Sequence, residues 1–482
     1  MYFRSILRAL GVILLILGLT LLVPALYAWA IHSPDLEAFL RSAVYTIGTG
    51  GLLLLIPKSQ YSLRTRDGFA LVSFGWLAAG VVGGLPYLLA DVVPSFTDAF
   101  FESVSGFTTT GASIFTVIED KPLPVLLWRS MTQWFGGMGI IVLALAIVPY
   151  MDIGGMSIFQ AEVPGPTADK LTPKVEDTAK VLWIVYVIMT LALMVSLWAA
   201  GMTVFDAINH AFTTMATGGF STKNASILFY RSPLIEWIVI LFMALAGMNF
   251  ALHYHFLFGR FKPKTYLKDS EAMFYLAMIL FSVASITGLI LWKEDRIFSE
   301  TFRAVTFTVT SIITTTGYAT DDYELWPIFS HLMLLLLMVM GGCAGSTAGG
   351  VKSVRIMLVL KYVYVEMVKL LHPNLVRDVK MHDTVVERSV LSSILSFLFL
   401  YLTVLVVSIL LVSFEAPDIL TAISSVVTSL GNVGPGLGTV GPTENFAHLG
   451  DFTKWVLSIN MVLGRLEILT LLVLFLPQTW LK

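Results

Sequence analysis

Cysteine is almost absent: Cys343 stands alone among 482 residues, which excludes an intramolecular disulfide framework and a cysteine-built metal site. Charge is also scarce. Asp, Glu, Lys and Arg make up 13% of the chain, about half the usual share of a soluble domain, so that class is excluded. The eight histidines are scattered. Their one cluster, "HYH" at His253 to His255, ends an apolar span without acidic or cysteine co-ligands and reads as an interfacial feature. No glycine fingerprint follows a strand pattern, so neither an enzyme, nor a nucleotide binder, nor a nucleic-acid partner is indicated.

What is present is hydrophobicity: 56% of residues are apolar. Read from charge to charge, the uncharged spans are Ala9 to Pro34, Gly68 to Ala90, Ser130 to Met151, Val181 to Phe205, Trp237 to Gly259, Ala272 to Trp292, Leu325 to Val351 and Ser389 to Phe414. Each is of the order of 20 residues, enough to cross about 30 Å of hydrocarbon. Ser42 to Pro57 and Trp455 to Leu481 are weaker candidates that bring the number to ten. The first span follows Arg4 and Arg8, yet it is too long for a signal peptide and has no clear cleavage site.

The basic residues alternate between loops. Arg4 and Arg8; Lys58, Arg64 and Arg66; Lys170, Lys174 and Lys180; Arg260, Lys262, Lys264 and Lys268; Lys352 to Arg388; and Lys482 hold 20 of the 30 Lys and Arg. These segments are expected on the cytoplasmic side, with both termini. The other face is acidic and would concentrate cations.

Between basic loops one pattern occurs four times: apolar helix, shorter semi-polar helix, polar glycine turn, apolar helix. The turns are "GFTTTGAS" (Gly106 to Ser113), "TTMATGGFS" (Thr213 to Ser221), "SIITTTGYA" (Ser311 to Ala319) and "SLGNVGPGL" (Ser429 to Leu437). Aligning Gly111, Gly219, Gly317 and Gly434 gives spacings of 108, 98 and 117 residues, the mark of four pseudo-symmetric units around a central axis. Asp98 and Asp206 each stand 13 residues before their glycine, where capping or first-turn residues belong.

A dehydrated alkali cation needs several oxygen ligands. Unpaired carbonyls at membrane depth are tolerated only inside protein or along an aqueous path. Glycine allows dihedrals that aim successive carbonyls at one axis, and four such turns would ring a cation in place of its water. Close helix packing by small residues is the alternative; one turn would not separate the two readings, and four in equivalent positions favour the filter. Below it, "MGGCAGSTAGG" has five glycines between Gly341 and Gly350 and is expected to break its helix and obstruct the path, or else to be a packing face. Arg465 and Glu467 lie in the last apolar run, where charge is costly. Arg465 is expected at the axis beneath the turns, bonding carbonyls near Gly345 to Thr347, with a structural ion pair as the alternative.

These motifs, with "WRSMTQWFGGMGIIV" (Trp128 to Val142) and "GGCAGSTAGGVKSVRI" (Gly341 to Ile356), resemble the Trk/Ktr/HKT superfamily of potassium transporters, and within it the TrkH subfamily. The resemblance implies an all-α integral membrane protein with four helix, pore-loop, helix repeats after two extra helices. It divides the chain into 1–66, the two added helices; 67–152, with filter 108–113; 170–262, with filter 216–221; 268–371, with filter 314–319 and gating loop 341–350; and 385–482, with filter 431–436. It implies K+ as transported ion and no cofactor of the chain's own. The filter residues it implies are Thr109, Thr110, Gly111 and Ala112; Thr217, Gly218, Gly219 and Phe220; Thr315, Thr316, Gly317 and Tyr318; and Asn432, Val433, Gly434 and Pro435. The gate residues are Gly345, Ser346, Thr347, Ala348, Gly349 and Arg465.

The turns are not identical: Gly218 replaces threonine in the second, and the fourth departs from the threonine pattern. In some plant relatives serine replaces the first glycine; Gly111 matches the potassium-selective branch. The resemblance further implies gated K+ uptake at a bacterial inner membrane, a homodimer, and a TrkA-like cytosolic subunit that binds NAD, ATP or ADP. A partner or lipid contact also suits the basic, apolar stretch Val354 to Leu371. Uptake coupled to H+ or Na+ is the competing expectation, with Glu467 its one candidate carboxylate.

Overall fold

The computed structural model describes residues 2–57, 65–139, 175–259, 262, 264–375, 377–381 and 384–480. Lys58, Arg64, Lys170, Lys174, Arg260 and Lys482 lie outside the described residues, as do the later half of the span expected over Ser130 to Met151 and the junction between the first two repeats.

Helices α1 (Phe3–Thr20) and α2 (Leu22–Ala30) form an antiparallel pair with α3 (Leu36–Leu54). They approach at glycines: a Cβ on Gly11 would lie 2.8 Å from the Gly50 carbonyl oxygen, and one on Gly50 2.9 Å from that of Gly11. Small residues allow such backbone contact where no hydrophobic force draws helices together.

Four units follow. The first has α4 (Thr65–Leu89), the short α5 (Phe96–Phe107) and α6 (Leu123–Gly137). The second has α7 (Val175–Ala199), the short α8 (Val204–Met215), and α9 (Pro233–Ala246) leading into α10 (Phe250–Phe258). The third has α11 (Ser270–Lys293), the short α12 (Phe298–Ile313), α13 (Ile328–Met340) and α14 (Ser353–Leu371). The fourth has α15 (Arg388–Val412), the short α16 (Ile419–Gly431), α17 (Asp451–Arg465) and α18 (Leu469–Leu472).

The short helices have 12, 12, 16 and 13 residues, so at 1.5 Å per residue none crosses a bilayer. Ser95, Thr203 and Asp418 cap three of them, accepting from the N–H of Asp98, Asp206 and Thr421 at 3.1, 3.1 and 2.8 Å. The third starts at Ile297 without a side-chain cap and has Glu300 in its first turn. Each short helix also packs on the helix that follows the short one in the preceding unit: α8 on α6, α12 on α9, α16 on α13, and α5 on α17. The fourth contact returns to the first unit, so the units close a ring.

Five helices among the described residues are long and apolar enough to cross a membrane: Phe3–Ala30, Arg66–Leu89, Asp177–Ala199, Ser270–Lys293 and Arg388–Val412. Two of the expected spans are bent, and a third breaks where its glycines predict. Trp237 to Gly259 bends by 103° between α9 and α10, where Asn249 starts a new helix by accepting the Ala251 N–H at 2.8 Å. Leu325 to Val351 stops at Met340. The last run bends by 107° after Arg465, at Glu467 and Ile468, both with positive φ. In the "HYH" cluster His253 is buried, bonded to Tyr266 Oη and the Leu245 carbonyl, both at 2.8 Å, whereas His255 is exposed.

Candidate functional site

Each short helix ends in the same hydrogen-bond pair. The N–H groups of Thr110, Gly218, Thr316 and Val433 donate to the carbonyls of Ser105, Thr213, Ser311 and Thr428 at 2.9, 2.8, 2.8 and 2.8 Å. Those of Thr109, Thr217, Thr315 and Asn432 donate to Gly106, Thr214, Ile312 and Ser429 at 2.9, 3.0, 3.0 and 3.3 Å. Such a cap requires a left-handed residue, and Thr109, Thr217, Thr315 and Asn432 have φ of 56, 51, 57 and 55°. For threonine this costs about 1–3 kcal/mol and persists only when the surroundings enforce it; asparagine adopts it more readily.

Two residues on, Gly111, Gly219, Gly317 and Gly434 are also left-handed, at 83, 76, 79 and 102°. Their missing side chains matter as much as their dihedrals. A Cβ on Gly111 would overlap the carbonyl oxygen of Gly218, one on Gly219 that of Thr316, and one on Gly317 that of Val433. One on Gly434 would lie 2.7 Å from that of Thr110. Every turn therefore leans on the next, and the fourth leans on the first.

Buried carbonyls normally have partners. Among the described residues, those of Thr109, Thr110, Gly111, Thr217, Gly219, Thr315, Thr316, Gly317, Asn432, Val433 and Gly434 accept no hydrogen bond, although the five threonines, Asn432 and Val433 are buried. At the rim the Ala112 and Tyr318 carbonyls are taken by Ser105 and Ser311 hydroxyls at 2.6 and 2.8 Å. Those of Phe220 and Pro435 have no such donor among the described residues.

Beneath the turns, the segment Gly341 to Lys352 leaves helical geometry, with φ of 69, 69, 77 and 80° at Gly341, Gly345, Gly350 and Lys352. It meets the left-handed residues one by one. Thr347 Oγ1 lies 3.3 Å from Thr217 Oγ1, and the Gly349 N–H donates to Thr315 Oγ1 at 2.7 Å. A Cβ on Gly349 would lie 2.9 Å from the Asn432 Cβ. Arg465 completes the set, donating to Thr109 Oγ1 at 3.0 Å and to the carbonyls of Thr347, Gly136 and Gly137 at 2.9, 2.5 and 2.7 Å. Gly345, Ser346, Ala348, Gly349, Lys352 and Arg465 line a cavity of about 80 Å³ on this side. On the other, a cavity of about 90 Å³ touches Gly111, Gly219, Gly317 and Pro435, one from each turn. Glu467 forms an ion pair with Arg355 rather than with Arg465.

Three supports lie outside the residues singled out in the sequence. Arg129 pairs with Glu102 at 2.6 Å, both buried, and also donates to the Ser221 carbonyl at 3.0 Å. Glu102 in turn accepts the Ile114 N–H at 2.9 Å, so this pair joins the first turn to the second. Lys454 on α17 pairs with Asp98 on α5 at 2.7 Å. Gln133 reaches the second turn. All three were hidden in the sequence among residues that bounded or filled apolar spans.

A family model described as "Cation transport protein", TrkH, matches residues 35–481. The "Trk system potassium uptake protein TrkH" of Escherichia coli (strain K12) is 40% identical over the full length of both chains. The "Trk system potassium uptake protein TrkG" of the same organism is 35% identical, over 99% of this chain and 98% of that one. A crystal structure of the potassium transporter TrkH from Vibrio parahaemolyticus superposes with a TM-score of 0.90 at 38% identity, covering all of both chains.

Proposed function

The chain belongs to the TrkH family of cation transport proteins, and on that footing we propose that it takes up K+ through a gated, selective pore on the axis of its four turns. The observation that carries this is the ring of buried carbonyls without protein partners, which a dehydrated cation would satisfy. The open carbonyls support roles as K+ ligands for Thr109 to Gly111, Thr217, Gly219, Phe220, Thr315 to Gly317 and Asn432 to Pro435, whereas those of Ala112, Gly218 and Tyr318 already carry a donor. The gate is the segment Gly345 to Gly349 with Arg465, whose guanidinium blocks the path by charge and by bulk.

The repeat boundaries are those drawn from the sequence. Both termini face the cytoplasm of a bacterial inner membrane, as the basic loops indicate. A second copy of the chain and a TrkA-like cytosolic subunit that binds NAD, ATP or ADP complete the system. The exposed Leu360, Val363, Tyr364 and Met367 on α14 offer an apolar face for such contacts or for lipid. Glu467, the one carboxylate that suggested coupling to H+ or Na+, is engaged by Arg355, which favours passive flux. The test is K+, Rb+ and Na+ flux into liposomes holding this chain alone. K+ and Rb+ should move down their own gradients while Na+ is excluded; uptake that stops without an imposed proton or sodium gradient would replace the channel with a coupled transporter.

A further inference from the structure

Gly218 is the one glycine in its row, where Thr110, Thr316 and Val433 stand in the other turns. It lies outside the left-handed region, so its backbone does not demand glycine. What excludes a side chain there is Gln133, from α6 of the preceding unit: a Cβ on Gly218 would lie 2.5 Å from its Oε1 and 2.7 Å from its Nε2. Gln133 is buried; its Nε2 donates to the Gly218 carbonyl at 2.6 Å and its Oε1 accepts the Phe220 N–H at 3.0 Å. Both partners are main-chain groups, which fixes the orientation of the amide.

The first and third turns are braced differently. Thr110 and Thr316 bond Thr108 and Thr314, hydroxyl to hydroxyl, at 2.8 Å each. The second turn has Ala216 in place of the lower threonine, so no such pair exists there. Among the described residues, the Gly218 carbonyl is then the only one of the four at its level that carries a donor.

We propose that Gln133 is a specificity-determining positioning residue: its amide holds the Gly218 carbonyl in the ring and, by donating to it, leaves that level with three free ligands and one shared. The proposal rests on the reading of the turns as a K+ filter. A shared carbonyl presents a weaker field to the ion, and a weaker field favours the larger, more easily dehydrated K+ over Na+. Removing the amide strengthens and loosens that ligand together, so both consequences admit Na+.

The experiment measures the K+ to Na+ permeability ratio in liposomes for the wild-type chain, Gln133→Leu, Gly218→Thr, and the combination Gln133→Ala, Ala216→Thr and Gly218→Thr, with folding checked by monodispersity. Gln133→Leu is expected to lower the ratio about tenfold, the size of one or two lost orienting hydrogen bonds. Gly218→Thr alone collides with Gln133 and should do at least as much damage. The combination vacates the space and rebuilds the hydroxyl brace, and should return the ratio to within about threefold of wild type. An unchanged ratio in Gln133→Leu would overturn the proposal. Should Gln133→Leu not fold, the comparison of Gly218→Thr with the combination decides: a combination no better than the single change overturns it. A wild-type chain without K+ flux would instead count against the function itself.

Discussion

The four turns and the segment beneath them are both buried, glycine-rich and partly left-handed, yet they treat their carbonyls in opposite ways. In the turns, Thr109, Thr110, Thr315, Thr316, Asn432 and Val433 leave theirs without donors among the described residues. In the segment below they are taken up: Gly341 by Ser353, Gly345 by Phe250, Thr347 by Arg465, Ala348 by Lys352 and Val351 by Arg355. A buried acceptor left open calls for a partner, in the proposed function a cation, and one already satisfied does not. The same kind of residue can thus present open ligands or a satisfied plug, depending on what donates to it.

The contrast breaks most severely at the glycines of the turns. Gly219→Ala puts a methyl onto the Thr316 carbonyl and should cut K+ flux about 100-fold, as when a ligating group is displaced by about an ångström. Gly434→Ala, whose Cβ would stand 2.7 Å from its neighbour, should be milder; equal effects in liposome flux would contradict the ring of leaning turns. Next comes the buried support. Arg129→Ala leaves Glu102 unpaired and should destabilise the fold by about 3–5 kcal/mol, seen as a lower thermal transition in detergent, whereas the exposed pair Arg41–Glu37 should be nearly neutral when broken.

On the plug side the sign reverses. Arg465→Ala removes the donor shared by the segment and the first turn, and should raise resting K+ flux roughly tenfold, the scale of a charge-assisted hydrogen bond. Unchanged flux in single-channel or liposome recordings would remove Arg465 from the gate. The smallest effect is at the rim: Asp418→Ala loses the cap of α16 and should cost about 1 kcal/mol of stability without altering selectivity.

How much of this the sequence disclosed differs by region. The turns were legible because four copies in equivalent places left little room for coincidence, and because the glycine that permits a left-handed dihedral is visible as a letter. The break after Met340 was legible for the same reason. The bends after Ala246 and Arg465 were not: a helical pattern of apolar residues continues through them, Asn249 marks the first only by a local cap on Ala251, and Glu467 at the second pairs with Arg355, far along the chain. Reading from charge to charge also treated Arg129 and Lys454 as ends of spans. Both lie inside helices, at home there because Glu102 and Asp98 meet them. Gln133 stood inside a quoted motif, but its role depends on a carbonyl 85 residues away, and only the odd glycine at 218 hinted that something occupied the space.

The central claim is that the open carbonyls of the four turns hold a dehydrated K+, and diffraction from crystals soaked in Rb+ or Tl+ tests it most directly. Anomalous peaks on the axis, among the carbonyls of Thr110, Gly218, Thr316 and Val433 and outcompeted by K+ but not by Na+, are the predicted result. Crystals that bind these ions only elsewhere, or not at all, would contradict it.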